Sequence, residues 1–400
     1  MCPAEGNVVL TPLQHPKMRP QKTNLLLAFM AALILIGVGA GIYAQMIGHH
    51  HAFANTREMP WGMLIGAYAY FAIISTGLCI MAALTHLVHI RRLEPLVNRM
   101  VWMSIIMIFS AFFIIGLEIE NPWRMPLGVL LHPNFFSNIW WMGTLYGLAV
   151  SFMIVEFFLI FTGKTHAAFI LGILAVVTEV CANSNLGAVF ASLNARPFWY
   201  GAQLPVFFLA CAFLSGAAAV ILFTHLAHVL QGQKISEEMR PGIRYAARVM
   251  MIMLFLIGLA TLWKYANSYC GTEEMVKSAD ALLHGPLAMT FWVFEVGVGL
   301  VAPFLLAGVT RLRSMKALSL AALMVLVGQF FSRYNLVVAG LLVPQFGQYC
   351  IDAPYYLSYT PTISENLFIV GSIGVVGFGF LFGERFFGHL FWKNNASSEG

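Results

Sequence analysis

Residues Val249-Met-Met-Ile-Met-Leu-Phe-Leu-Ile-Gly-Leu-Ala260 form an unbroken apolar run, and Leu318-Ser-Leu-Ala-Ala-Leu-Met-Val-Leu-Val327 forms another with a single serine. Neither alternates apolar with polar residues as the strands of a membrane barrel do. Both extend into segments of the roughly 20 residues that a bilayer-crossing helix needs. Ten such segments can be placed, near 24–47, 61–90, 101–120, 138–162, 167–190, 202–230, 246–268, 286–311, 316–344 and 365–388. Composition agrees: of 400 residues, 60% are hydrophobic and only 10% charged, against about 25% charged in soluble domains. Too few polar side chains exist to cover a soluble globule of this size. The same numbers exclude disorder, a coiled coil and a small disulfide scaffold. The expected fold is an all-α polytopic membrane protein with ten transmembrane helices, a single integral membrane domain over 1–400.

Basic residues set the expected orientation. The N-terminal segment, the loops after the even-numbered helices and the C-terminal segment hold 16 of the 22 Lys and Arg, among them Arg91, Arg92, Lys164, Arg240, Arg311 and Arg385. The opposite side holds Arg57, Arg124, Arg196, Lys264 and Lys277, and Arg333 lies within a span. Both termini are therefore expected on the cytoplasmic side of a prokaryotic inner membrane. The first helix is expected to be an uncleaved anchor, because its apolar run is too long for a signal peptide. The net charge of +5 is spread over six segments without a tract, so it reads as a topology signal and not as a nucleic-acid footprint. Thr85-His-Leu-Val-His89 and Thr224-His-Leu-Ala-His228 end the second and sixth helices. A duplicated four-helix unit would explain this: helices 2–5 (about 61–190) and helices 6–9 (about 202–344), with one flanking helix at each end. Chance is the competing explanation for five residues.

The six cysteines include no C-x-x-C pair and no cluster able to hold an iron–sulfur centre. Cys270 and Cys350 fall in loops on the non-cytoplasmic side, where a disulfide between them would persist. His86/His89 and His225/His228 each share a helix face. They read as histidines at helix C-termini or, alternatively, as ligands of a b-type haem. No metal site is expected. The intramembrane ionisable residues are Glu118, Glu120, Glu156, Glu179, Lys264, Glu295 and Arg333. Each is costly against lipid and must face the bundle interior, water or a partner. Glu156, Glu179, Glu295 and Arg333 span most of the membrane depth and read as a proton path, or as structural pairs such as Arg333 with Glu179 or Glu295. A secondary transporter is the alternative class that such charges allow.

The loop between the third and fourth helices reads Leu117-Glu-Ile-Glu-Asn-Pro-Trp-Arg124, then Leu131-His-Pro-Asn134, then Ser137, Trp140, Trp141 and Gly143. It resembles the NrfD/PsrC family, the quinone-interacting membrane subunits of polysulfide-reductase-type complexes. Ala195-Arg-Pro-Phe-Trp199, followed by Leu204-Pro205 and Leu214-Ser-Gly216, is similar to a second family segment. Ser332-Arg-Tyr-Asn-Leu336 and Pro361-Thr-Ile-Ser-Glu365 look like the longer, ten-helix branch, which includes the membrane subunits of hydrogenase-2 and of the DsrMKJOP complex of sulfur metabolism. The resemblance implies a subunit with no haem or iron–sulfur cluster of its own. It implies a quinone, menaquinone first, bound near the extracytoplasmic face, and electrons exchanged with a four-cluster ferredoxin-like iron–sulfur subunit docked there, alongside further redox subunits. The matching positions are His132 and Glu118 for proton exchange with the ring, and Arg124, Asn134, Arg196 and Trp199 for binding it. The branch often carries a histidine on helix 5 where this chain reads Ala182-Asn-Ser-Asn-Leu-Gly187. Asn183 or Asn185 would have to replace that contact by hydrogen bonding.

Overall fold

The computed structural model describes residues 20–345 and 354–392. Among them are ten helices long and apolar enough to cross a membrane. They are α1 (Pro20–Ile47), α2 (Met63–Leu87), α3 (Val97–Glu118), α4 (Asn138–Phe161), α5 (Thr165–Ala191), α6 (Gln203–Gln231), α7 (Arg240–Tyr269), α8 (Thr290–Val309), α9 (Met315–Ala339) and α10 (Ile363–Phe386). All ten expected spans are present. Their ends differ where polar residues prolong or stop a helix. The helix α7 starts before its apolar run because Pro241, tolerated in a first turn, initiates it beside an Arg240–Glu237 ion pair. Side-chain caps mark other starts: Ser137 Oγ accepts from Trp140 N, Ser314 Oγ from Ala317 N, and Thr362 forms a capping box with Glu365. Two short helices, Arg124–Leu131 and Glu273–Leu283, occupy loops between spans.

α2 and α6 form the centre. In α2, 89% of the apolar stretch is buried inside the protein, against 17% in α1. α2 packs on α3, α5, α6 and α9, while α6 also packs on α5, α7 and α9. With the α3–α4, α4–α5, α7–α8 and α8–α9 contacts, α2 to α5 close one ring of four and α6 to α9 close another. α1 pairs with α10, which lies against α3. The two rings meet where α2 crosses α6 at Gly77 and Gly216. A Cβ on Gly77 would collide with Ala212 O, and one on Gly216 would collide with the Gly77 backbone. Small residues of this kind let membrane helices approach closely. Gly77 precedes Thr85 by the same number of residues as Gly216 precedes Thr224, so the crossing keeps the register of the two Thr-His-Leu segments.

At the end carrying Arg91, Lys164 and Arg240, hereafter the basic end, a buried ion pair joins α3 to α10: Arg99 Nε lies 2.6 Å from Glu384 Oε1. Trp392 Nε1 and Gln231 Nε2 donate to the other Glu384 oxygen. At the opposite, aromatic end, Glu365 accepts from Tyr359 Oη and Thr362 N, and Tyr359 Oη accepts from Met63 N. The start of α10 is thereby tied to the start of α2.

Candidate functional site

Polar groups occur at several depths in the first ring. At the basic end a cavity of about 360 Å³ is bounded by α2, α4, α5 and the turn before α3. Glu156 lines it together with Cys79, Glu94 and Asn98. Gly172 stands opposite Glu156, and a side chain there would press on the carboxylate. Deeper in, Glu179 is fully buried. Its Oε1 accepts from Ser75 Oγ at 2.9 Å and its Oε2 from Thr76 Oγ1 at 2.6 Å. Ser75 Oγ in turn lies 3.1 Å from Ser104 Oγ. No cation approaches Glu179 within salt-bridge distance among the described residues. One turn further toward the aromatic end, the Asn183 amide is buried with no hydrogen-bond partner among the described residues, and the Tyr146 hydroxyl is buried beside Thr76. The Tyr146 ring packs edge-on against Tyr68. Buried polar atoms of this kind are normally satisfied by protein or ordered water.

The second ring holds a different set. Arg333 on α9 is buried, and the alternative reading of an ion pair with Glu179 or Glu295 is not met among the described residues. Its Nη2 donates to Cys211 Sγ at 3.1 Å, and its guanidinium lies over Phe208, 4.7 Å from the ring centre. Arg333 Nε and Nη1 have no hydrogen-bond partner among the described residues. The reason is geometric: Glu295 is engaged elsewhere, its Oε2 accepting from Asn335 Nδ2 at 2.7 Å. Asn335 Oδ1 accepts from Thr290 Oγ1 at 2.7 Å. Glu295 sits in a π-helical stretch, Thr290–Val301, which opens α8. Such widened turns are frequent at functional sites. Lys264 on α7 points over the Phe198 ring, 3.9 Å from its centre.

At the aromatic end the residues singled out by resemblance do not converge on one pocket. Arg124, His132 and Asn134 lie on one exposed loop. His132 ends the short helix Arg124–Leu131, its N–H bonded to Gly128 O, and Asn134 Oδ1 accepts from Phe136 N. Around them Leu130, Leu131, Phe135 and Phe136 are exposed. Trp140 and Trp141 brace this loop by donating to Val129 O and Phe135 O. Glu118 ends α3 near Asn55 and Glu365 with one buried oxygen unpartnered. Arg196 is committed to structure, donating to Val343 O and Glu58 O. Burial holds its pKa below the usual arginine value, against the opposing pull of Glu274 and Glu58. Trp199 is buried, donates to Leu336 O at 2.7 Å and stacks on Trp61. Asn185 Nδ2 donates to Asn138 O. Cys350 lies outside the described residues, so its expected pairing with Cys270 stays an expectation. No group of three His, Cys, Asp or Glu side chains converges among the described residues.

Sequence reasoning missed Ser75, Thr76, Tyr68, Tyr146, Thr290 and Asn335. The adjacent hydroxyls of Ser75 and Thr76 beside Gly77, inside an otherwise apolar helix, were the available signal.

The polysulphide reductase NrfD family matches residues 51–345. The chain is 22% identical to the Hdr-like menaquinol oxidoreductase integral membrane subunit of Archaeoglobus fulgidus, over 90% of this chain and 93% of that one. It is also 22% identical to a subunit of the selenate reductase of Mesobacillus selenatarsenatis, over 88% and 91%. To protein NrfD of Escherichia coli it is 27% identical over 42% of this chain and 52% of that protein. A match that spans the exposed His132 loop and both helical rings settles the membership: this chain belongs to the NrfD, polysulphide reductase family.

Proposed function

We propose that this chain is the quinone-reactive membrane subunit of a multi-subunit respiratory oxidoreductase. It exchanges electrons between menaquinone and a four-cluster ferredoxin-like iron–sulfur subunit docked at the aromatic end, with further redox subunits beyond. Anaerobic sulfur metabolism is the setting we assign to the complex. Two relatives bear names of oxidoreductase or reductase subunits, one of them for menaquinol. The single observation that carries the reading is Glu179, a fully buried carboxyl held by two hydroxyls and by no cation among the described residues. A carboxyl so placed can gain or lose a proton without stranding a counter-ion, which suits a proton carrier.

Quinol oxidation releases two electrons and two protons per ring, and quinone reduction takes them up. The residues on hand fit that need. His132 is exposed and is surrounded by exposed apolar side chains, so an arriving partner would close a pocket over it. An imidazole is suited to proton exchange near neutral pH. Glu118, with one oxygen unpartnered, is the second acceptor. Arg124 and Asn134 offer donors to ring oxygens from the same loop. Arg196 and Trp199 act through the loop framework that they hold. From the basic end, Glu156 and Glu179 carry protons, with Asn183 and Tyr146 holding ordered water between Glu179 and the aromatic end. Glu295 and Arg333 set the field beside this path.

His132→Ala should abolish quinone-linked electron transfer in the intact complex while the chain still inserts and assembles. Unchanged turnover with a menaquinol analogue would remove His132 from the site.

A further inference from the structure

A groove of about 430 Å³ opens sideways between the start of α6 and the end of α7, outside the polar groups of the first ring. Its walls are apolar: Val206, Phe207 and Ala210 from α6, Leu256 and Ala260 from α7. Val206 and Leu256 are exposed, so the groove faces the lipid side. Lys264 lines it and lies over the Phe198 ring. No carboxylate comes within salt-bridge distance of Lys264 among the described residues. Glu295 is within electrostatic reach, but it is bonded to Asn335 and shared with Arg333. This part of the ring therefore sets two cations against one carboxylate.

Depth and backbone add to the charge. Lys264 lies five residues before the end of α7 at Tyr269, about 7–8 Å along the axis, within reach of a headgroup for a long flexible side chain. Gln203 begins α6 at the mouth of the groove, and no side chain caps that first turn. The Leu204 N–H bonds Gly201 O and Pro205 has none, so this turn offers an anion the Gln203 N–H and the helix dipole. The apolar walls continue from Lys264 to Leu256, about 12 Å, the scale of an acyl chain.

We propose that this groove binds one anionic phospholipid, with its phosphate between Lys264 and the first turn of α6 and one acyl chain laid between α6 and α7. A quinone tail would suit the walls, but its neutral ring would leave the excess positive charge uncompensated. The proposal does not depend on the electron-transfer reading.

The test is native mass spectrometry of the full chain released from nanodiscs containing equal phosphatidylglycerol and phosphatidylcholine plus a menaquinone analogue. The wild type should retain one phosphatidylglycerol in preference to phosphatidylcholine by about fivefold. Lys264→Gln should lose that preference and Lys264→Arg should keep it. Ala210→Phe, which fills the groove without touching a charge, should lose the lipid altogether. Thermal unfolding of each variant separates loss of lipid from loss of fold. Equal retention of both lipids, retention unaffected by both Lys264→Gln and Ala210→Phe, or a quinone as the retained molecule would overturn the assignment.

Discussion

The ring of α2 to α5 buries carboxyls among hydroxyls, with its Arg99 neutralised by Glu384 of α10, whereas the ring of α6 to α9 buries Arg333, Glu295 and the amides of Gln329 and Asn335, with Lys264 half-buried beside them. The places correspond. Asn185-Leu186 and Asn335-Leu336 stand near the ends of α5 and α9, and each asparagine bonds to the start of the third helix of its own ring. Counting back the same distance from these pairs, Glu179 in α5 corresponds to Gln329 in α9, and Asn183 to Arg333. The chemical consequence is direct. A carboxyl held by Ser75 and Thr76 can be neutral or charged with its hydrogen bonds rearranged. A guanidinium cannot give up its proton. On the proposed function, proton carriage would belong to the first ring and fixed positive potential to the second.

The largest expected effect tests that division. Glu179→Gln keeps the shape and the hydroxyl contacts but removes the titrating group. Quinone-linked turnover of the complex should fall by about a hundredfold, the scale of a lost acid–base group. Gln329→Ala at the corresponding place should leave turnover close to wild type. Rates measured in membranes with a menaquinol analogue decide it. Equal losses from both variants would dissolve the contrast between the rings.

A smaller effect is expected at the seam where the rings meet. Gly77→Ala places a methyl against Ala212 O and should destabilise the protein by about 1–3 kcal/mol, the range for overpacking. Gly147, on α4, has nothing within 4 Å of an added Cβ. Gly147→Ala should be neutral or stabilising by up to about 1 kcal/mol through helix propensity. Thermal unfolding in detergent compares the two. A Gly77→Ala variant as stable as Gly147→Ala would mean that the rings do not depend on close contact at this crossing.

The ten spans were legible because apolar length is a local property, and α7 and α9 could be read from their own residues. The loop motif could be read as a motif for the same reason: its residues are contiguous, and Arg124, His132 and Asn134 are each exposed. What sequence order conceals is partnership across helices. Arg99 reads as a basic end-of-helix residue, yet it is buried against Glu384, far away in the chain. Arg333 invites pairing with Glu179 or Glu295, but it meets Cys211 and two phenyl rings instead. Arg196 and Trp199 carry a motif, yet their donors are taken by main-chain carbonyls. The π-helical stretch around Glu295 has no local signature that periodicity reads, and within it α8 meets α9 closely at Gly299 and Gly328.

The smallest expected effect concerns the two asparagines that open the comparison. Asn185 donates to a main-chain carbonyl, Asn138 O, at 2.7 Å. Its loss in Asn185→Ala removes one interhelical hydrogen bond, which within a membrane averages about 0.6 kcal/mol. Asn335 makes the same kind of link to α8 through Thr290, and it also donates to Glu295 Oε2. Asn335→Ala therefore removes a bond and leaves a buried carboxylate oxygen without its donor, a cost of about 1–3 kcal/mol. The difference between the variants, measured by unfolding in the same detergent, isolates what Glu295 requires of its neighbour. If both lose the same amount, Glu295 draws its stabilisation from Arg333 and Lys264, and the second ring is held by charge and not by its amide.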